Sequence, residues 1–91
     1  MKQRLAIRSG LFRITVYMFE HPNSTYYSIQ KGTGIPSRTT KARLQDLLDN
    51  GYAIRMEPDK ALHNVKPYQL TSKGRNLARQ IKVLRTLGVD S

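Results

Sequence analysis

Cysteine and tryptophan are both absent from this chain, and only six acidic residues occur among its 91. Without cysteine there are no disulfide staples, no thiolate metal sites and no cysteine nucleophile. The two histidines, His21 and His63, lie far apart in a chain with few carboxylates, so a metal centre lacks ligands. Serine and threonine are plentiful, but no base accompanies them at a recognisable spacing. The expectation is therefore a protein that is not an enzyme and takes no cofactor. Aromatic residues make up 8%, too few for a stacking platform that would hold single strands. No apolar run approaches the about 20 residues of a membrane-spanning helix, and no secretory signal follows the basic start. An interfacial helix would set Trp, Phe and Leu along a basic stripe, whereas Phe12 and Phe19 both fall in the first predicted helix. The expectation is a cytoplasmic protein forming one domain over residues 1–91.

What the chain has in excess is positive charge. Sixteen Lys and Arg give a formal net charge of +10, above the usual magnitude of about 2–8 for a small domain. Such an excess draws a polyanion, and nucleic acid is the first candidate. The bases fall near the start (Lys2, Arg4, Arg8, Arg13), in the middle (Lys31, Arg38, Lys41, Arg43) and near the end (Lys73, Arg75, Arg79, Lys82, Arg85). They form no continuous run, so they are not a solvated tail. Hydrophobic residues at 38% suffice for a core, and folding must gather the charge onto a face.

Periodicity divides the chain into five elements or more. Leu11, Ile14 and Met18 recur at helical spacing, which predicts a helix from about Lys2 or Arg8 to Glu20, with Leu5 and Ile7 extending its stripe. His21-Pro22-Asn23-Ser24 stops it. Ser24 or Thr25 then caps a short helix through Lys31, ended by Gly32-Thr33-Gly34. A third helix enters at Pro36 or Ser37, with Ile35 as a hydrophobic staple, and runs to Asn50-Gly51. Tyr52 to Met56 reads as a strand, Pro58 to Pro67 as a polar loop, and Tyr68-Gln69-Leu70 as the returning strand of a hairpin. Thr71 or Ser72 caps a last helix carrying Leu77, Ile81 and Leu84, with Gly88 at its end. The fold class is α+β, mainly α.

The second and third helices have the dimensions of a helix-turn-helix. Thr40, Leu44 and Leu47 place the core side of the third helix, so Arg38, Lys41, Ala42 and Gln45 point outward. Its N-terminal half is short or basic, whereas Asp46 and Asp49 wait until the distal half. The helix macrodipole favours the opposite order. An anionic partner at the N-terminal end accounts for the inversion, because that end of such a helix enters the major groove. The hairpin loop, longer than a hairpin requires, brings Lys60, His63 and Lys66 as phosphate contacts.

Four stretches together resemble the winged helix-turn-helix transcription regulators of the PadR and MarR kind. They are Ser24-Thr25-Tyr26-Tyr27-Ser28-Ile29, Thr33-Gly34-Ile35-Pro36-Ser37-Arg38-Thr39-Thr40, Leu44-Gln45-Asp46-Leu47-Leu48-Asp49-Asn50-Gly51-Tyr52-Ala53-Ile54, and Tyr68-Gln69-Leu70-Thr71-Ser72-Lys73-Gly74. The likeness covers roughly Leu11 to Ile81, and Thr40 departs from it where an aliphatic residue is usual. It implies a three-helix core, a two-stranded wing and a C-terminal helix, working as a small DNA-binding repressor on the nucleoid. From this length no effector-binding domain is expected. Sorted by type, Arg38 is expected to read guanine, and Gln45 or Thr39 to read adenine or a thymine methyl. Ser37, Lys41 and Arg43 are expected on phosphates, with Tyr26 or Tyr27 on the backbone while the other joins the core. Leu5, Leu11, Leu77, Ile81 and Leu84 are the expected interface of a homodimer, which would set two such helices about 34 Å apart. The competing reading is a sequence-blind architectural or RNA- or replication-associated binder.

Overall fold

The computed structural model describes residues 10–58 and 65–86. Four helices and a two-stranded antiparallel hairpin follow in the order α1 (Leu11–Glu20), α2 (Tyr26–Thr33), α3 (Ser37–Asp49), β1 (Ala53–Arg55), β2 (Tyr68–Leu70) and α4 (Ser72–Thr86). The register pairs Ala53 with Leu70, Ile54 with Gln69 and Arg55 with Tyr68. An isolated antiparallel bridge joins Ser24 to Tyr68, so the segment between α1 and α2 lies against the hairpin base. The expected class, mainly helical with a wing hairpin, is the one observed.

Helix α1 is central. Leu11, Ile14, Thr15 and Met18 sit at positions i, i+3, i+4 and i+7, and all four are buried. Thr15 is the polar member of that stripe, and its hydroxyl donates to the Leu11 carbonyl at 2.8 Å, which removes the penalty of burying it. Around α1 the core adds Ile29 from α2, Ile35 from the turn, Leu44 and Leu47 from α3, Ala53 and Leu70 from the hairpin, and Ala78 from α4. Helices α2, α3 and α4 and strand β2 all pack on α1.

Several boundaries differ from the sequence reading, each for a local reason. Gly10 has φ 84°, left-handed, and caps α1, which starts at Leu11; the expected extension to Lys2 or Arg8 lies outside the described residues. A Cβ there would also lie 2.9 Å from Ile35 Cδ1. Gly32 does not end α2 but lies inside it, where the Tyr17 ring occupies the space of a side chain. The helix continues to Thr33 and ends at Gly34, φ 72°. Strand β1 is shorter than Tyr52–Met56, and its buried residue is Ala53 while Ile54 and Arg55 are exposed. Pairing nevertheless extends past it, since the Met56 amide donates to the Pro67 carbonyl at 2.7 Å. The loop tip, with Lys60 and His63, lies outside the described residues, as do Leu5 and Gly88.

The expected dimer stripe is corrected in two places. Leu11 and Ile81 are each 1% exposed within one chain. Their apolar surface is already removed from water by their own fold, so they have nothing to offer a second copy. Leu77 is half-buried against the same core.

Tyr52 and α4 meet at very short range. Thr71 caps α4 by accepting from the Gly74 amide at 3.1 Å, and its own amide donates to the Tyr52 carbonyl at 3.0 Å. A Cβ on Gly74 would fall 1.9 Å from that same Tyr52 oxygen. Gly51, by contrast, has φ 77° and nothing within 4 Å. Gly74→Ala should therefore lower stability by at least about 3 kcal/mol through a backbone clash. Gly51→Ala should lose only about 1–2 kcal/mol through its left-handed conformation. Urea unfolding of the two variants measures the difference, and equal losses would contradict the close approach.

Candidate nucleic-acid interface

The turn between α2 and α3 is Gly34-Ile35-Pro36. Thr25 and Ser28 start α2 with a reciprocal capping box, the Ser28 amide donating to Thr25 Oγ1 at 3.1 Å and the Thr25 amide to Ser28 Oγ at 3.0 Å. Its other end is tied by the Gly34 amide on the Gln30 carbonyl, 2.9 Å, and by an Arg13 guanidinium from α1 on the Thr33 carbonyl. Ile35 then turns inward and is buried, which fixes where α3 begins.

Helix α3 enters its first turn without a side-chain cap, because the residue at that position is Pro36. No acidic residue stands in this first turn. Its leading amides are thus left to solvent or to an anion, at the positive end of the macrodipole. Thr40, Leu44 and Leu47 are buried as the pattern required. Thr40 is accommodated by its hydroxyl, which donates to the Ile35 carbonyl at 3.2 Å. A buried threonine thereby does the work of an aliphatic residue while also holding the turn.

With that face inward, Ser37, Arg38, Lys41 and Gln45 are exposed, and Thr39 and Ala42 are half-buried beside them. Among the described residues Arg38 and Lys41 have no ion pair, whereas two other expected contacts are engaged within the helix. Arg43 pairs with Asp46, Nε to Oδ2 at 3.0 Å, and its side chain is only 14% exposed. Its guanidinium is turned along the helix toward the distal carboxylate rather than onto the Arg38–Lys41 face. Gln45 Nε2 donates to Asp49 Oδ1 at 2.8 Å. The two distal acids thus hold the groups nearest them and leave the proximal bases free.

Tyr26 and Tyr27 part company. The Tyr26 ring is half-buried against the core, and its hydroxyl reaches across the turn to donate to the Ser37 carbonyl at 3.1 Å and to bond Ser37 Oγ. It clasps the first residue of α3 to the first residue of α2. Tyr27 is 65% exposed, with the Lys31 ammonium 5.4 Å from its ring centroid. On the wing, Lys66 is exposed. Arg55, exposed at the hairpin base, lies over the Tyr68 ring at 5.3 Å.

No family model matches this chain, and no curated protein sequence does. Solved structures do match. The complex of MepR from Staphylococcus aureus with DNA superposes with a TM-score of 0.78 at 20% identity, covering 90% of this chain and 59% of that one. The transcriptional regulator SlyA gives 0.78 at 22% identity, covering 91% and 58%. The reduced form of MarR from E. coli gives 0.75 at 18%, covering 92% and 60%. The fold is the winged helix of those regulators. This chain spans less than two thirds of their length.

The Tyr26 clasp has a measurable consequence. Tyr26→Phe keeps the ring in place and removes the hydroxyl, so stability should fall by about 1 kcal/mol. Amide exchange should quicken at the start of α3 and stay unchanged in α1. Uniform exchange across both helices would show that the hydroxyl does not hold the turn.

Proposed function

We propose that this chain binds double-stranded DNA sequence-specifically, as a small transcription regulator of the repressor kind acting on the nucleoid in the cytoplasm. The N-terminal half of α3 enters the major groove. One observation carries the reading. Arg38 and Lys41 are exposed, and free of ion pairs among the described residues, at an uncapped helix start in a winged helix like that of a regulator solved on DNA.

Each side chain then has a distinct task. Arg38 presents a planar fork that matches guanine O6 and N7. Thr39 and Ala42 supply small surfaces beside it for a thymine methyl. Ser37 and Lys41 take phosphates, together with the leading amides of α3. Gln45 reads a base edge after exchanging its Asp49 partner. Arg43 reaches a phosphate only by giving up Asp46, and Tyr26 contributes by holding Ser37 rather than by donating to the duplex. Lys66 sits beside the sugar-phosphate backbone, and the sequence assigns Lys60 and His63 to the same task.

The regulator works as a homodimer in this reading. The surface left for a second copy is the outer side of α4, where Val83 is 57% and Leu84 38% exposed, with Leu77 half-buried nearby. A two-fold axis there would repeat α3 at a spacing of one DNA turn.

Duplexes selected from a random pool should contain a palindrome whose half-sites lie one turn apart. Equal recovery of every sequence would favour the sequence-blind alternative. Arg38→Ala should lose about 1–3 kcal/mol on the selected site and relax preference at one base pair. Lys41→Ala should weaken all duplexes alike and lower the salt slope by about one. Titrations at several salt concentrations separate the two, and an equal loss on every sequence for Arg38→Ala would remove its reading role. Val83→Glu with Leu84→Glu should yield monomers in sedimentation that still fold, whereas an unchanged mass would place the interface elsewhere.

A further inference from the structure

The bases of α3 account for little of the +10 charge, since Arg43 is neutralised by Asp46 and, among the described residues, only Arg38 and Lys41 stand free. Helix α4 carries Lys73, Arg75, Arg79, Lys82 and Arg85 with no acidic residue in its 15. Lys73 has a structural task, its ammonium donating to the Asn50 carbonyl at 3.0 Å and covering the Tyr52 ring. Arg75, Arg79 and Lys82 are different. At 100° per residue they fall within 60° of one another on one flank of the helix.

That flank is held ready by α1. The Arg79 guanidinium and the Lys82 ammonium both lie over the Phe19 ring, 5.6 and 5.5 Å from its centroid. Arg75 is steadied by the Leu70 carbonyl at 3.0 Å and by Ser72 Oγ at 3.1 Å, and Arg79 by Asn76 Oδ1 at 3.0 Å. Glu20, on Lys82 at 3.1 Å, is the one acid paired there among the described residues. Like charges three and four apart disfavour a helix, so the arrangement stores repulsion that an anion would relieve. Both α3 and α4 pack on α1, and their exposed sides turn away from that shared helix.

We propose that the Arg75–Arg79–Lys82 flank is a second binding surface for the phosphate backbone of duplex DNA, distinct from α3, so that the protein bridges two duplex segments. The partner is identified by charge complementarity, Arg75 and Arg79 with the Glu20-paired Lys82 beside them against regularly spaced phosphates, and requires no base reading. Bridging rests on the α3 reading, whereas phosphate contact by the flank goes beyond it.

The test uses an immobilised duplex and a second, fluorescent duplex of unrelated sequence, with the full chain added. The wild type should capture the second duplex, and Arg75→Gln with Arg79→Gln should reduce capture about tenfold between low and physiological salt. First-duplex affinity should fall far less. Arg75→Lys with Arg79→Lys should restore capture, because charge rather than fork geometry is needed; thermal unfolding of each variant checks that it folds. Capture unchanged in the glutamine pair would overturn the proposal, since bridging would then come from two copies of α3. Loss of binding to anionic vesicles with duplex capture intact would also overturn it, in favour of a lipid surface. If Arg38→Ala with Lys41→Ala leaves all duplex binding intact while the glutamine pair abolishes it, the α3 reading fails and bridging fails with it, and the flank stands as the duplex-binding surface.

Discussion

The burial of α1 on all but one side is the constraint from which the rest of the molecule follows. A ten-residue helix is too short to be stable alone in water. It persists because Leu11, Ile14, Thr15 and Met18 meet α2, α3, α4 and β2 at once. Those elements are too short to form separate cores, so each depends on the same helix. The consequence is a rigid placement of α3: its buried face and the Ile35 turn are both set by α1, and Arg13 of α1 also ties down the end of α2. A surface made of few free side chains reads anything only if its helix does not rock.

Electrostatics then shapes what that rigid frame presents. In α3 the acids stand in the distal half, against the preference of the macrodipole, and the structure shows what they do there. Asp46 holds Arg43, and Asp49 holds Gln45. An acid nearer the start would have captured Arg38 or Lys41 in the same way and cancelled the amides of the first turn. The cost in helix propensity is offset by core contacts at Thr40, Leu44 and Leu47, which stabilise α3 regardless of its charge order.

Much of this was legible in the residues. The helix-turn-helix, the hairpin and the last helix follow from spacing and punctuation, and Thr40, Leu44 and Leu47 were placed inward by periodicity alone. What was not legible depended on contacts far apart in sequence. Gly32 reads as a helix stop, yet it is a slot for Tyr17; nothing local distinguishes the two. Leu11 and Ile81 read as an interface because stripe periodicity says which residues turn inward without saying whether one chain or two cover them. Arg43 reads as a free cation, although Asp46 three residues on was a visible signal of an (i, i+3) pair. The Tyr26 clasp had no sequence signal, since its partner lies across a turn whose geometry is set by Ile35.

The two kinds of basic surface make different thermodynamic demands. Contacts to phosphate draw on counterion release, which needs charge but little geometry, whereas a base contact needs a planar group held within a fraction of an ångström. The distribution of support inside this protein matches that division. Around α3 the support is directional: a hydroxyl clasp at Ser37, a hydroxyl on the Ile35 carbonyl, a buried staple. Around the α4 flank Arg79 and Lys82 rest over a ring, whose attraction for a cation varies slowly with position, whereas Arg75 is held by hydrogen bonds to Leu70 and Ser72. Lysine and arginine are equally at home over Phe19, but only an arginine at Arg38 could fork onto a guanine. Precision is concentrated where a sequence would be read, and tolerance where a backbone would merely be held.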